Sequence, residues 1–199
     1  MKLRLTVKQR RILLLALLPV LVLGILNGCM WVFPLRDRIA GEPGTVYTAM
    51  STTERQGLNQ CGGCASAYLL RADGREITGA EAYEEIPMKL PNGYLLPHGI
   101  RSYLRDQGLR AVMRSGTPDQ LCARLRGGLP VIALIREGEA LHYVAVVGCN
   151  SENLYLADSL RPVAEGYNRV VSQEEFAQLQ QTGLLWFEEM YITISADGE

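Results

Sequence analysis

The chain has 199 residues, 48% of them hydrophobic and 21% charged, which is enough apolar material to fill a core and too much for a disordered or low-complexity chain. Its formal charge of -1 conceals an asymmetry: Lys2, Arg4, Lys8, Arg10 and Arg11 all precede the first acidic residue, Asp37, and from Pro34 onward 15 basic residues face 21 acidic ones, a net -6. That balance excludes nucleic acid as a partner of the folded part, because phosphate recognition needs a basic face.

Residues 1–11 form a basic segment, and residues 12–33, ILLLALLPVLVLGILNGCMWVF, run for 22 positions without a charge. About 20 apolar residues are needed to cross the hydrocarbon core, so this stretch reads as a transmembrane helix that tolerates Pro19 and Gly24 and sets Trp31 at the outer interface. A second reading treats Leu26-Asn27-Gly28-Cys29 as a lipoprotein-type cleavage site that would leave Cys29 carrying lipid. Asn27 is larger than such sites prefer and apolar residues follow, so the uncut anchor is preferred. Either way the more positive flank stays in the cytoplasm, and the carboxy-terminal domain is expected outside a single-pass cell-membrane anchor.

Residues 34–49, continuing in composition to 55, are rich in Pro, Gly, Ser and Thr and read as a spacer before a domain at 50–199. A first helix is expected over 62–72, ending before Gly74. Thr78 with Glu81 has the pattern of a capping box for a short second helix, and 98–107 reads as a third that stops at Gly108. Thr117-Pro118-Asp119-Gln120 supplies an N-cap, a proline in the first turn and a capping partner, so a helix should run to Arg126. Residues 131–135, 143–147 and 154–157 are β-rich, a helix follows from Gln173 capped by Ser172, and 186–194 reads as a closing strand. Helices first and strands afterwards give an α+β fold with the first helix packed across an antiparallel sheet.

Three residues converge on one chemistry. Cys61 opens the first helix, where free backbone N–H groups and the helix dipole favour a thiolate. Small residues follow it, with Tyr68, Leu69 and Leu70 as core contacts and Cys64 one turn on, packed as a small hydrophobe. His142 begins one strand and Asp158 ends the next, 16 residues later. An antiparallel pair joined by a turn at 150–153 brings that start and that end to one sheet edge. A carboxylate accepting one imidazole N–H leaves the other ring nitrogen to take a thiol proton. Singly, each residue is as readily a buried cysteine, an interior histidine or a strand-end carboxylate; together they point to nucleophilic catalysis.

Gln56, Cys61-Gly62, Gly74, His142-Tyr143-Val144-Ala145-Val146-Val147-Gly148 and Asp158, in that order and spacing, resemble the peptidase C39-like branch of the papain-like cysteine peptidases, and Leu129-Pro130-Val131-Ile132 is similar to the strand before its histidine. The resemblance covers roughly residues 50–195. It implies a papain-like fold, a peptide or protein substrate and no cofactor. It also implies that Cys61 attacks a carbonyl, His142 acts as base and then acid, Asp158 orients it, and Gln56 with the Cys61 N–H stabilises the oxyanion. Gln60 competes for that last role but is too near Cys61 to fold back over it. The chain departs from the family at Gly63 and Ser159, where proline is frequent. Family members that trim double-glycine leaders work on the cytoplasmic side, so the outward topology argues against leader trimming.

Two other classes remain. Cys61-Gly62-Gly63-Cys64 is a C-x-x-C motif, which suits a tethered thiol-disulfide oxidoreductase but leaves His142 and Asp158 without a role. A non-catalytic module could keep the fold and use its cleft for peptide capture. A zinc site from Cys61, Cys64, Cys122 and Cys149 lacks the second closely spaced ligand pair. His98 and residues 91–97 border the cleft in one reading, with a surface histidine as the simpler alternative, and Glu81, Glu84 and Glu85 read as a solvated helix face.

Overall fold

A computed structural model describes residues 7–30, 33–41, 44–184 and 186–195, and divides into two units, Met1–Phe33 and Pro34–Glu199. The first unit holds helix α1, Val7–Met30, with Pro19 inside it. The described side chains of α1, Lys8, Arg11 and those at 15–24, are exposed. Among the described residues no helix is long and apolar enough to cross a membrane. The transmembrane span expected at 12–33 is therefore not found among the described residues; helix α1 is described over Val7–Met30, which takes in most of that stretch and part of the basic segment before it. Lys and Arg are good helix formers, so the charge boundary does not mark the helix start. Trp31 and the side chain of Cys29 lie outside the described residues.

The second unit is α+β. After the short strands β1 (Leu35–Arg36) and β2 (Val46–Tyr47) come helices α2 (Cys61–Ala72), α3 (Gly79–Glu85) and α4 (Pro97–Asp106), then strand β3 (Arg110–Ser115) and helix α5 (Pro118–Leu125). Strands β4 (Val131–Glu137), β5 (Ala140–Cys149), β6 (Asn153–Ala157) and β7 (Arg169–Ser172), helix α6 (Gln173–Leu179) and strand β8 (Met190–Ser195) complete it. Among the described residues the sheet runs β1-β3-β8-β4-β5-β6-β7, with β2 also on β5. The pairs are antiparallel except β1 with β3, which corrects the purely antiparallel sheet expected.

The helix starts follow from local chemistry. Thr78 accepts from the Glu81 N–H while Glu81 reaches back to the Thr78 N–H, and Thr117 and Gln120 repeat the arrangement for α5. Ser172 accepts from the Glu175 N–H at α6. Glu81, Glu84 and Glu85 are exposed, as the sequence pattern implies.

Strand β4 lies in the middle and is buried on both faces, which is why its sequence is a continuous apolar run. Ile132 and Leu134 meet a core with α2, α3, α4 and β8, whereas Val131, Ala133 and Ile135 meet α5, α6, β6 and β7. Helices thus cover both sheet faces, where the sequence indicated only the first. Residues 34–49 are part of this unit and no mere spacer. Buried Asp37 accepts from Arg124 Nη2 at 2.7 Å, Arg124 Nε at 2.9 Å and the Tyr191 hydroxyl at 2.8 Å. Burial alone would raise the Asp37 carboxyl, but Arg124, the Ile39 N–H and Tyr191 outweigh it and hold it well below the usual carboxylate range. Two-residue strands flanked by Pro and Gly carry no periodicity, so the sequence hides them.

The expected closing strand starts later, at Met190, because residues 186–189 turn and Glu188 caps the N–H groups of Thr182 and Gly183. Cys122 on α5 and Cys149 on β5 form a disulfide with Cα atoms 6.0 Å apart, tying helix to sheet across 27 positions. Cross-links of that span stabilise a fold by about 2–4 kcal/mol.

Candidate active site

Helix α2 begins at Cys61 and packs against α3 and β5, and its first ten residues are buried. Its two glycines permit this. A Cβ on Gly63 would stand 2.6 Å from Tyr83 Cβ and 2.8 Å from the Tyr83 nitrogen, so the close approach is to α3. A Cβ on Gly62 would stand 2.8 Å from Leu95 Cδ1. The turn before the helix places Asn59 at φ 60°, a left-handed conformation that asparagine tolerates, and its side chain donates to the Asn92 carbonyl at 2.7 Å. Tyr68, Leu69 and Leu70 are fully buried, as is expected of a helix laid across the sheet.

His142 and Asp158 meet because of a register shift. Ala145 pairs with Ala157 and Val146 with Leu156, but Gly148 pairs with Tyr155, so β5 carries one extra residue at Val147. Continued one step, the register sets Asp158 across from Val144, on the face His142 shares. Without that bulge Asp158 would stand across from Ala145 and point to the opposite face. The His142 Nε2 and Asp158 Oδ1 atoms are 2.8 Å apart, with His142 3% and Asp158 0% exposed. The Cys61 thiol lies near enough to the His142 ring to raise its proton affinity, and with Nε2 occupied Nδ1 is the nitrogen left for it.

Burial works against the imidazolium, but the Asp158 carboxylate, then Cys61, outweigh it and push His142 up to about 9. Burial likewise opposes the Asp158 carboxylate. Its bonds to His142, the Leu160 N–H at 2.9 Å and Arg169 Nη1 at 3.1 Å prevail and hold it well below its ordinary value. Arg169 also donates to Glu137 at 2.7 Å, and Arg161 to the other Glu137 oxygen at 2.9 Å. Asn168 accepts from the Asp158 N–H at 2.8 Å and donates to the Asp158 carbonyl at 2.9 Å, so the backbone is held as well.

Gln56 lies beside this group. Its Oε1 accepts from the Ser159 hydroxyl at 2.7 Å and its backbone N–H donates to the Ser159 carbonyl at 3.1 Å. The Gln60 side chain instead accepts from the Gly57 N–H at 2.9 Å, closing the turn before α2, which removes it from competition with Gln56. Cys61 also lines a cleft of about 300 Å³, together with Tyr94, Leu95, Leu141, Tyr143, Leu184 and Phe187 among others, and among the described residues Glu139 is its one charged wall residue. His98 packs edge-on against Phe187 at 6.1 Å, behind the cleft wall, so the segment 94–97 borders the cleft and His98 supports it.

The family model for the Peptidase_C39 like family matches residues 45–183. The chain belongs to that family. No curated protein matches. Among solved structures, a C39-like peptidase from Bacillus anthracis is similar at TM-score 0.62 and 14% identity, over 78% of this chain and 100% of that one. The peptidase domain of Streptococcus ComA, a bi-functional ABC transporter of a quorum-sensing pathway, is similar at 0.57 and 16%, over 74% and 99%. A double glycine motif protease from an AMS/PCAT transporter, in complex with the leader peptide, is similar at 0.50 and 17%, over 82% and 97%. At these identities the likeness is one of fold.

Within this C39-like domain the four residues singled out from the sequence, Gln56, Cys61, His142 and Asp158, come together. Sequence reasoning missed Ser159, Asn168, Arg169 and Glu137, which hold them. Ser159, which the sequence marks only as a departure from the family pattern, touches Gln56 directly. No local pattern marks Arg169, which reaches Asp158 only because β7 pairs with β6.

The dithiol reading finds little support. Cys61 and Cys64 are both free thiols, and residues 53–60 before α2 form no strand. Burial, then the charges of Glu54 and Cys61, push Cys64 up to about 12, so it stays protonated at neutral pH. Cys122 and Cys149 are bonded to each other, and among the described residues no group of three or more His, Cys, Asp or Glu side chains is placed to hold a metal.

Proposed function

We propose that this chain is a cysteine peptidase that hydrolyses a peptide or related amide bond. The observation carrying the reading is a buried imidazole held by Asp158 at 2.8 Å and interacting with the nearby thiol of Cys61, which lines an apolar cleft. Cys61 Sγ adds to the substrate carbonyl as His142 takes the thiol proton. The oxyanion so formed is met by the Gln56 amide and the Cys61 N–H. Collapse breaks the C–N bond, His142 gives its proton to the leaving amine, and water then hydrolyses the thioester by the same base. Asp158 keeps the ring oriented and stabilises the imidazolium.

The cleft supports a substrate with a bulky apolar side chain beside the scissile bond, since a glycine pair would leave that surface uncovered. A peptide library offered to the chain should return cleavage at such residues, and Ala140→Trp, which fills the cleft, should lower kcat/KM for them by about tenfold to a hundredfold while sparing small residues. Equal loss for both would show that the cleft does not read the side chain.

We read the amino-terminal segment as the membrane contact and the domain as extracytoplasmic. The apolar, exposed side chains of Leu15 to Leu23 support the first, and the Cys122–Cys149 disulfide, at home in an oxidising compartment, supports the second. Protease added to intact cells should digest the domain; a protected domain would reverse the topology.

A further inference from the structure

Resting on the oxyanion role read for Gln56, we propose that Ser159 is a positioning residue for that donor, and that the dipeptide Asp158-Ser159 orients both halves of the machinery at once. A glutamine amide is nearly symmetric in shape, and only one of its two orientations presents N–H to an oxyanion. Gln56 is half-buried, and its side chain would otherwise rotate freely. Two bonds to one residue remove that freedom. The backbone N–H of Gln56 donates to the Ser159 carbonyl at 3.1 Å, and the Ser159 hydroxyl donates to Gln56 Oε1 at 2.7 Å. With the carbonyl end occupied, Nε2 is the end left for substrate.

Ser159 is 6% exposed, so little water competes with Gln56 for its hydroxyl. Asp158, one position earlier, fixes the imidazole, so a movement of this strand end would misalign base and oxyanion donor together.

The test compares two reactions of Cys61 on the full-length chain, with Cys61→Ala as the blank. With p-nitrophenyl acetate the sulfur adds to the ester carbonyl as His142 takes the proton, and the resulting oxyanion collapses with loss of p-nitrophenolate to leave acetyl-Cys61. With iodoacetamide the sulfur displaces iodide and no oxyanion forms. Ser159→Ala should slow acylation roughly fivefold to tenfold and leave alkylation unchanged. Ser159→Thr, which keeps the hydroxyl, should recover most of the loss. Gln56→Ala should slow acylation by about 10²-fold to 10³-fold, and adding Ser159→Ala to it should cost nothing further. Equal slowing of both reactions, or the same factor for Ser159→Ala with and without Gln56, would overturn the proposal while leaving Gln56 in its role. Unchanged acylation in Gln56→Ala alone would remove the oxyanion role and the proposal with it.

Discussion

Cys61→Ala will abolish hydrolysis, with a fall in kcat of about 10⁶-fold, the scale seen when a nucleophile is removed from a triad that works as a unit. The substitution is a clean one. Cys61 is 6% exposed at the first turn of a well-packed helix, and alanine fills nearly the same space with good helix propensity, so the fold should survive. His142, Asp158 and Gln56 remain to bind substrate. Retention of peptide binding without cleavage is the expected pattern, measured by product formation and by direct titration of the same peptide. Cleavage that persists in Cys61→Ala would falsify the nucleophile. A Cys64→Ala variant that loses as much as Cys61→Ala would favour dithiol chemistry, and an unaltered wild-type chain that binds peptides without cleaving them would favour a binding module.

Asp158→Asn should give the second largest loss, about 10²-fold to 10⁴-fold in kcat with little change in KM, because the amide can donate to the ring and select the wrong tautomer and lacks the charge that stabilises the protonated imidazole. The pH dependence carries the sharper signature. Against the burial that lowers it, Asp158 is the leading reason that His142 rises from 6.5 to about 9. The imidazolium that His142 becomes on taking the Cys61 proton therefore persists through neutrality, and kcat/KM should decline on the alkaline side near pH 9 as the proton for the leaving amine is lost. In Asp158→Asn that alkaline limb should move down toward 6.5. A limb that stays in place would show that Asp158 does not set the proton affinity of the ring.

The same shifts bear on stability, in opposite senses. The folded-state value of His142 is raised, so its contribution is complete below the ordinary 6.5 and is lost as pH rises through about 9. The folded-state value of Asp158 is depressed, so its contribution is present above the ordinary 3.8 and is lost as pH falls below it. The pair therefore favours the folded domain most between about pH 4 and 6.5.

Much of the candidate site was legible because its parts are local. Cys61 is recognisable from the small residues that follow it and from the helix it opens. The capping pairs Thr78 with Glu81 and Thr117 with Gln120 are legible because both partners lie within one turn. The β-rich run at β4 is legible as well, since a strand buried on both faces leaves a continuous apolar signature. Strand β3 escaped notice because its sequence, RAVMRS, mixes arginines with apolar residues between two helical patterns, and its partners β1 and β8 lie far away along the chain. Strand β7 is only four residues long and gains its identity from β6.

The sequence by itself determined which groups are present, the order of the principal helices and that His142 and Asp158 belong to two neighbouring strands, because helix caps and strand patterns are written within a few residues; it set the start of β5 at His142, whereas the strand begins two residues earlier, at Ala140. Only the tertiary structure decided that His142 and Asp158 share a face, since that depends on one extra residue at Val147 within the β5–β6 ladder. It also decided that Ser159 grips Gln56 across 103 positions and that Arg169 braces Asp158. Such contacts arise from register and packing between distant segments, and no periodicity or cap along the chain encodes them.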